Sequence, residues 1–303
     1  MEKKIGVIIG ARGIGDLIYH LPLLRSLHKS YKNKLIIFSN IVNKSPEVFK
    51  DEFFFKKIIN FDNYRYGPLK TIINIIKFKK LLNKYCFDRI ILTSNARRLI
   101  LPVILSNAIK KDIFGNGNFI FNKDRSLDKY TISERLLKYT NQLNLPKKVN
   151  NFFLNSKKNN SKKKNKIFIS VDSFHDQNNW PIENYIEIIK KIKKKNIIYI
   201  NFSPKKKYFL KYFAKNKIDS KNIIFTYDKK ISKIIEIIKD CRVIIGNESG
   251  PVCLGSSLKK SVHAIYMPIH TKPESKIIYK KNKYYNTSKL KDSEIVKKII
   301  NSI

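Results

Sequence analysis

The chain has 303 residues, with 63 Lys and Arg against 23 Asp and Glu, a formal charge of +40. That length predicts two domains, each able to bury a core of its own, and 43% apolar residues exclude a disordered chain despite the charge. The three cysteines, Cys86, Cys241 and Cys253, are widely spaced, which excludes a disulfide framework and a four-thiolate zinc site and points to a reducing compartment.

In chain order, residues 5–10 (Ile-Gly-Val-Ile-Ile-Gly) read as a buried parallel strand. A helix follows over 16–30, with Leu17, Leu21, Leu24 and Leu27 on one stripe, and Pro22 inside it marks a delayed start or a kink. Strands are predicted at 35–38, 57–60 and 89–92, a helix at 69–84, a helix near 97–107 and a short strand near 111–114. A second round begins with a strand at 166–171 and a helix at 181–193 that has Pro181 at its first turn. Strands at 196–201, 222–225, 242–246 and 261–266 alternate with helices at 205–215, 230–239 and 250–258, and a short amphipathic helix spans 292–300.

Between the two rounds lies a polar, charged and aperiodic stretch, 155–165, which reads as a linker. The expected domains are therefore 1–155 and 166–303. Alternating strands and helices predict α/β architecture with two Rossmann-like parallel sheets facing a central cleft, where ligands meet the carboxyl ends of the strands.

The opening Met1-Glu2-Lys3-Lys4 and five or six apolar residues are too short for a secretory leader, and no run reaches the 18 apolar residues of a membrane span. A cytoplasmic protein, or one held peripherally at the inner membrane face, is expected. The charge has three readings. Only nine of the 63 basic residues are arginine, while Lys, Ile and Asn make up about 45% of the chain, as expected of lysine scattered over a solvated surface. An anionic membrane or glycolipid partner is the second reading. Nucleic acid is the third, weakened by scarce arginine and by the lack of any recognisable nucleic-acid motif.

Two loops are placed to carry chemistry. Gly10-Ala11-Arg12-Gly13-Ile14-Gly15-Asp16 joins the first strand to its helix, and its glycines allow a tight turn and a close ligand approach. It is not the G-x-G-x-x-G fingerprint, and the second strand lacks an acidic residue for a ribose, so a nicotinamide enzyme is disfavoured. Asp16 is either a first-turn carboxylate satisfied by backbone N–H groups or a catalytic group. Gly246-Asn247-Glu248-Ser249-Gly250-Pro251 precedes a helix whose free N–H groups suit a phosphate. Glu248 either holds a ribose hydroxyl or caps that helix. Trp180 reads as a helix anchor, and Cys253, among Val252, Leu254 and Gly255, as a buried inert thiol. With no D-x-D pair and no histidines at i,i+4, no metal site is indicated.

Gly15-Asp16 followed by Leu21-Pro22-Leu23-Leu24-Arg25-Ser26-Leu27 resembles the opening of the heptosyltransferase family of bacterial glycosyltransferases. Trp180-Pro181-Ile182-Glu183-Asn184-Tyr185 resembles its Trp-Pro motif, and Glu248-Ser249-Gly250-Pro251 its Asp-(Ser/Thr)-Gly nucleotide-sugar loop. The resemblance implies a GT-B fold and an inverting, metal-independent transfer of a heptose or related sugar to a lipopolysaccharide core or surface glycan. It needs no cofactor beyond the nucleotide-sugar donor. It makes Asp16 the general base, and it implies an acceptor-side first domain, a donor-side second domain and a last helix that packs back on the first. The donor side is expected to draw on Glu248, Ser249, Gly250, Ser170, Ser173, Asn178, Ser203 and Lys206, and the acceptor or phosphate side on Gly13, Gly15 and Arg12. The chain departs from the family pattern at Asn178, where a lysine is usual, at Glu248 in place of aspartate and at Cys253 in place of histidine. A non-catalytic glycan- or nucleotide-binding relative and a basic nucleic-acid-binding protein are the rival readings.

Overall fold

The computed structural model describes residues 4–10, 13–40, 44–61, 67–94, 96–113, 130–155, 165–173, 176–218, 221–267 and 282–303. The chain divides into two compact units, 1–154 and 155–303. Among the described residues no helix is long and apolar enough to cross a membrane.

The first unit is built on five parallel strands, β1 (Ile5–Ile9), β2 (Leu35–Asn40), β3 (Ile58–Phe61), β4 (Arg89–Leu92) and β5 (Lys110–Ile113), in the order β3-β2-β1-β4-β5. All five residues of β1 are buried, as its unbroken apolar run requires of a strand covered on both faces. The single helix predicted over 16–30 is two, α1 (Ile14–Tyr19) and α2 (Leu21–Tyr31). Pro22 explains the break: it stands in the first turn of α2, where its missing N–H costs no bond. Further along are α3 (Ser45–Val48), α4 (Pro68–Lys84) and α5 (Arg97–Ile104). Helix α6 (Ile132–Gln142) was not foreseen, although its start carries a signal. The Glu134 N–H donates to Thr131 Oγ1 at 3.3 Å and the Thr131 N–H to Glu134 Oε2 at 2.8 Å, a reciprocal capping box.

Arg25 on α2 ties this unit together. Its guanidinium donates to both carboxylate oxygens of the buried Glu52, at 2.9 and 2.7 Å, and also to Asn151 Oδ1 and the Phe153 carbonyl. One side chain thus joins α2, the segment after α3 and the last strand-free stretch of the unit.

Among its described residues the second unit holds six parallel strands, β6 (Lys166–Ser170), β7 (Ile197–Asn201), β8 (Ile223–Phe225), β9 (Val243–Asn247), β10 (Ser261–Tyr266) and β11 (Lys283–Asn286), ordered β11-β10-β9-β6-β7-β8. The edge strand β11 escaped the sequence reading because four polar-aromatic residues carry little strand signal. Helices α7 (Ile182–Ile192), α8 (Phe209–Lys215), α9 (Ile231–Asp240), α10 (Gly250–Ser257) and α11 (Asp292–Ile300) complete the unit. The helix predicted from 205 starts later because Pro204–Lys206 form a 3-10 turn, with Ser203 Oγ accepting the Lys205 N–H. Helix α11 packs on α7, and Asp292 accepts from Trp180 Nε1 and Asn184 Nδ2, both at 2.8 Å.

Buried His263 on β10 orders the C-terminal residues. Ser302 Oγ donates to the Ile299 carbonyl, so it accepts from His263 Nε2–H at 3.3 Å, and Tyr285 O–H then donates to Nδ1 at 2.9 Å. Burial, with the Lys283 ammonium adding to it, lowers the imidazole from its ordinary 6.5 to about 4.

Two measurements check these contacts. Arg25→Ala strands the Glu52 carboxylate and is expected to cost about 3–5 kcal/mol in urea unfolding. The unfolded chain protonates His263 near 6.5 and the folded chain only near 4. Stability is therefore complete above the unfolded value and declines as pH falls from 6.5 toward 4, by up to about 3 kcal/mol. His263→Gln should flatten that decline in a pH series of thermal melts.

Candidate functional site

In each sheet one pair of neighbouring strands sends its connections to opposite sides, which opens a crevice at their carboxyl ends. The pair is β1/β4 in the first unit and β6/β9 in the second.

In the first unit the loop after β1 enters α1 with Gly13 at the helix N-cap and Asp16 in the first turn. The Gly13 N–H donates to Asp16 Oδ2 at 3.2 Å, so the carboxylate does cap its own helix. Gly15 is half-buried in the same turn, and Arg12 lies outside the described residues. The loop glycines do not act as expected. Among the described residues no glycine has a positive φ, and a Cβ on Gly13 would meet nothing within 4 Å. Gly10 is needed for another reason: its Cβ would fall 2.2 Å from the Ser94 Cβ, just beyond β4.

His20, which belongs to no motif in the sequence, supports this turn. Its Nδ1–H donates to the Asp16 carbonyl at 2.6 Å, and its Nε2 lies 2.8 Å from Thr93 Oγ1. The Gly10 N–H in turn donates to Thr93 Oγ1 at 3.2 Å. Burial lowers the His20 pKa, and the hydrogen bond and charge of Asp16 oppose that shift. The Thr93 hydroxyl has one proton for two acceptors, the Ile8 carbonyl at 3.1 Å and His20 Nε2 at 2.8 Å; a neutral ring with its proton on Nδ1 takes it at Nε2, and the chain Asp16–His20–Thr93–Gly10 links the start of α1 to the ends of β1 and β4.

In the second unit Asn247, at the end of β9, is fully buried. Its Oδ1 accepts from the Trp180 N–H at 2.9 Å and from Tyr185 O–H at 3.0 Å, and its Nδ2 donates to the Val171 carbonyl at 3.1 Å. The preceding Gly246 has no room for a side chain, since a Cβ would stand 2.6 Å from the Ser170 carbonyl oxygen. Trp180 is the buried anchor its sequence context suggested, set edge-on to Tyr185. Cys253 is buried as expected, and burial pushes the Cys241 thiol up to about 12.

Beyond that frame the structure brings most donor-side candidates together. Glu248 leaves the sheet with its N–H on the Ile265 carbonyl, Ser249 is the N-cap of α10 and Gly250 its first residue. Ser170 ends β6, and the Ser173 N–H donates to Asn179 Oδ1. The Ser203 N–H donates to Asp172 Oδ2 at 3.0 Å, and Lys206 Nζ lies 2.5 Å from Asp176 Oδ1, on the 3-10 turn that also bears Asn178. Lys206 thus places a cation on the turn that bears Asn178. Ser170 Oγ, Asn178 Oδ1 and Ser249 Oγ are buried without a hydrogen-bond partner among the described residues. Ser170 ends a crevice strand, Ser249 caps the helix that follows the other, and Asn178 lies on the turn before α7, so each holds bonding capacity in reserve.

Asp172 was overlooked in the sequence, although an acidic residue directly after a buried strand is a usable signal. Burial raises its pKa, while the Ser203 N–H and the Lys206 ammonium pull it down. Asp176, exposed, is held below the usual carboxylate range by Lys206. Among the described residues no three His, Cys, Asp or Glu side chains are grouped to hold a metal ion.

The profile of glycosyltransferase family 9 (heptosyltransferase) matches residues 119–299. No curated relative matches by sequence. Among solved structures, a glycosyl transferase family 9 protein from Veillonella parvula superposes with a TM-score of 0.76 at 16% identity, over 100% of this chain and 91% of that one. The E. coli heptosyltransferase WaaC with ADP gives 0.71 at 13% identity, over 99% of each chain. The E. coli ADP-heptose lps heptosyltransferase II gives 0.70 at 14%, over 99% and 98%. These likenesses establish the GT-B type of two parallel-sheet α/β domains.

The Asn247 amide generates a test of the frame. Asn247→Leu leaves the Trp180 N–H, the Tyr185 hydroxyl and the Val171 carbonyl without their partner in a buried setting. The expected loss is about 3 kcal/mol or more in urea unfolding.

Proposed function

The chain belongs to glycosyltransferase family 9, the heptosyltransferases, and from that premise we propose that it moves a heptose or related sugar from a nucleotide-sugar donor to a lipopolysaccharide core or related surface glycan. The transfer inverts the anomeric centre and needs no divalent metal, a reading supported by the lack of any D-x-D pair in the sequence. The observation that carries the proposal is the set of partnerless buried atoms, Ser170 Oγ, Asn178 Oδ1 and Ser249 Oγ, beside the start of α10. They suit a ligand rich in phosphate and hydroxyl oxygens, and one similar structure was obtained with ADP. We place the protein in the cytoplasm at the inner membrane face, where a glycolipid acceptor is reached.

In this mechanism the acceptor hydroxyl gives its proton to Asp16 as its oxygen attacks the anomeric carbon from the face opposite the nucleotide. The bond from that carbon to the diphosphate oxygen breaks, and the nucleoside diphosphate leaves with the electron pair. Backbone N–H groups at Ser249 and Gly250 meet the charge that develops on the leaving group. Lys206 exchanges Asp176 for the diphosphate and serves where the family's usual lysine is replaced by Asn178. His20 holds the turn that presents Asp16. The capping bond between Gly13 and Asp16 favours a second reading, a donor-binding relative without turnover, in which the carboxylate is only a helix cap.

Two variants separate these readings when nucleoside diphosphate release is followed with a panel of nucleotide sugars and glycan acceptors. Asp16→Asn should lower transfer by about 10²–10⁴ with donor affinity retained; donor binding without transfer by the wild type under every acceptor favours the second reading. Lys206→Ala should weaken ADP binding in calorimetry by about tenfold or more, as expected for one charge-assisted contact. Transfer that persists in excess EDTA supports metal independence.

A further inference from the structure

Helix α4 has two apolar faces, and the fold uses one. Phe78 and Leu82 are buried against the first-unit core, where α4 also packs on α5. On the opposite side Leu69, Ile72, Ile73 and Ile76 stand at i, i+3, i+4 and i+7, and they are 79%, 54%, 48% and 48% exposed. Four large aliphatic side chains in one helical stripe form a contiguous patch, unlike the singly scattered apolar residues of an ordinary surface. Lys70, Lys77 and Lys84 run beside the stripe at heptad spacing, Lys79 and Lys80 stand at its far end, and no Asp or Glu occurs between residues 68 and 84.

We infer that this face of α4 docks the protein on an anionic lipid surface, with the stripe entering the headgroup–acyl boundary and the lysines meeting phosphate groups. The occupant follows from charge. An apolar stripe rimmed by lysine fits an interfacial helix lying in the membrane plane, and each lysine near such a surface strengthens partition by about fivefold. A second copy of the chain would set five lysines against five within a +40 field, so self-association through this face is opposed. The inference deepens the peripheral placement proposed above, and its readout uses neither donor nor acceptor, so a failure of the transfer chemistry leaves it standing.

The experiment is co-sedimentation with vesicles of mixed phosphatidylglycerol and phosphatidylethanolamine, against vesicles of phosphatidylcholine alone. Wild type should bind the anionic vesicles strongly and the neutral ones weakly. Ile72→Ser/Ile73→Ser/Ile76→Ser should lose at least about tenfold in partition with an unchanged thermal melt. Lys70→Gln/Lys77→Gln/Lys84→Gln should lose at least as much, and with it most of the salt dependence. The exposed set Lys190→Gln/Lys191→Gln/Lys194→Gln, on the second unit, should bind within about twofold of wild type. Three results overturn the inference: no vesicle binding by wild type, a serine variant that binds as wild type does, or a serine variant that instead turns a dimer into a monomer in light scattering.

Discussion

A single buried carboxamide organises the second unit. Asn247 ends a central strand with no exposed surface, so each of its polar atoms must be matched inside the protein. It meets that demand by accepting from the backbone that leads into α7 and from Tyr185 on α7, and by donating to the chain that leaves β6. The two crevice strands and the helix behind them are thereby held in one arrangement. Asp292 repeats the principle further out, where one carboxylate takes an indole and an amide and fixes α11 to α7. Ser170 at the end of β6, and the turns that carry Asn178 and Ser249, adjoin this frame, so their partnerless atoms have defined positions rather than a range of them.

The first unit reaches a similar end by other means. There a neutral imidazole, drained of its tendency to ionise by burial, spans the carbonyl of Asp16 and the hydroxyl of Thr93. A charged lysine or arginine at residue 20 would bring an ammonium or guanidinium into a site that is 3% exposed, with one backbone carbonyl and one hydroxyl to receive it. Arg25, one turn on, shows what a buried cation requires: a carboxylate in full register and two further acceptors.

Much of the architecture was legible because buried parallel strands announce themselves. Residues 5–9, 166–170 and 243–247 are nearly continuous apolar runs, each followed by a glycine-bearing or polar loop and a helix. Weaker elements were lost where tertiary pairing does the work: β11 exists because β10 offers it an edge, and α6 rests on a capping box easily passed over. In the site, residue types near the crevice were readable and their partners were not. Lys206 on Asp176, Thr93 against His20 and Ser203 on Asp172 lie 30, 73 and 31 positions apart in the chain, and no local pattern encodes such distances. The glycines show the same limit. Gly10 was read for a turn's freedom and Gly246 only as part of its loop, whereas both are set by what stands next to them.

Those two glycines leave the protein unequal room to change. At residue 10 the nearest obstruction is the Ser94 Cβ, at 2.2 Å, which only a glycine at residue 94 would remove. At residue 246 it is the main chain of a neighbouring strand, at 2.6 Å, and no exchange of side chains removes a carbonyl. The first crevice can therefore change by a paired step. The second is anchored by its own backbone and must stay as it is.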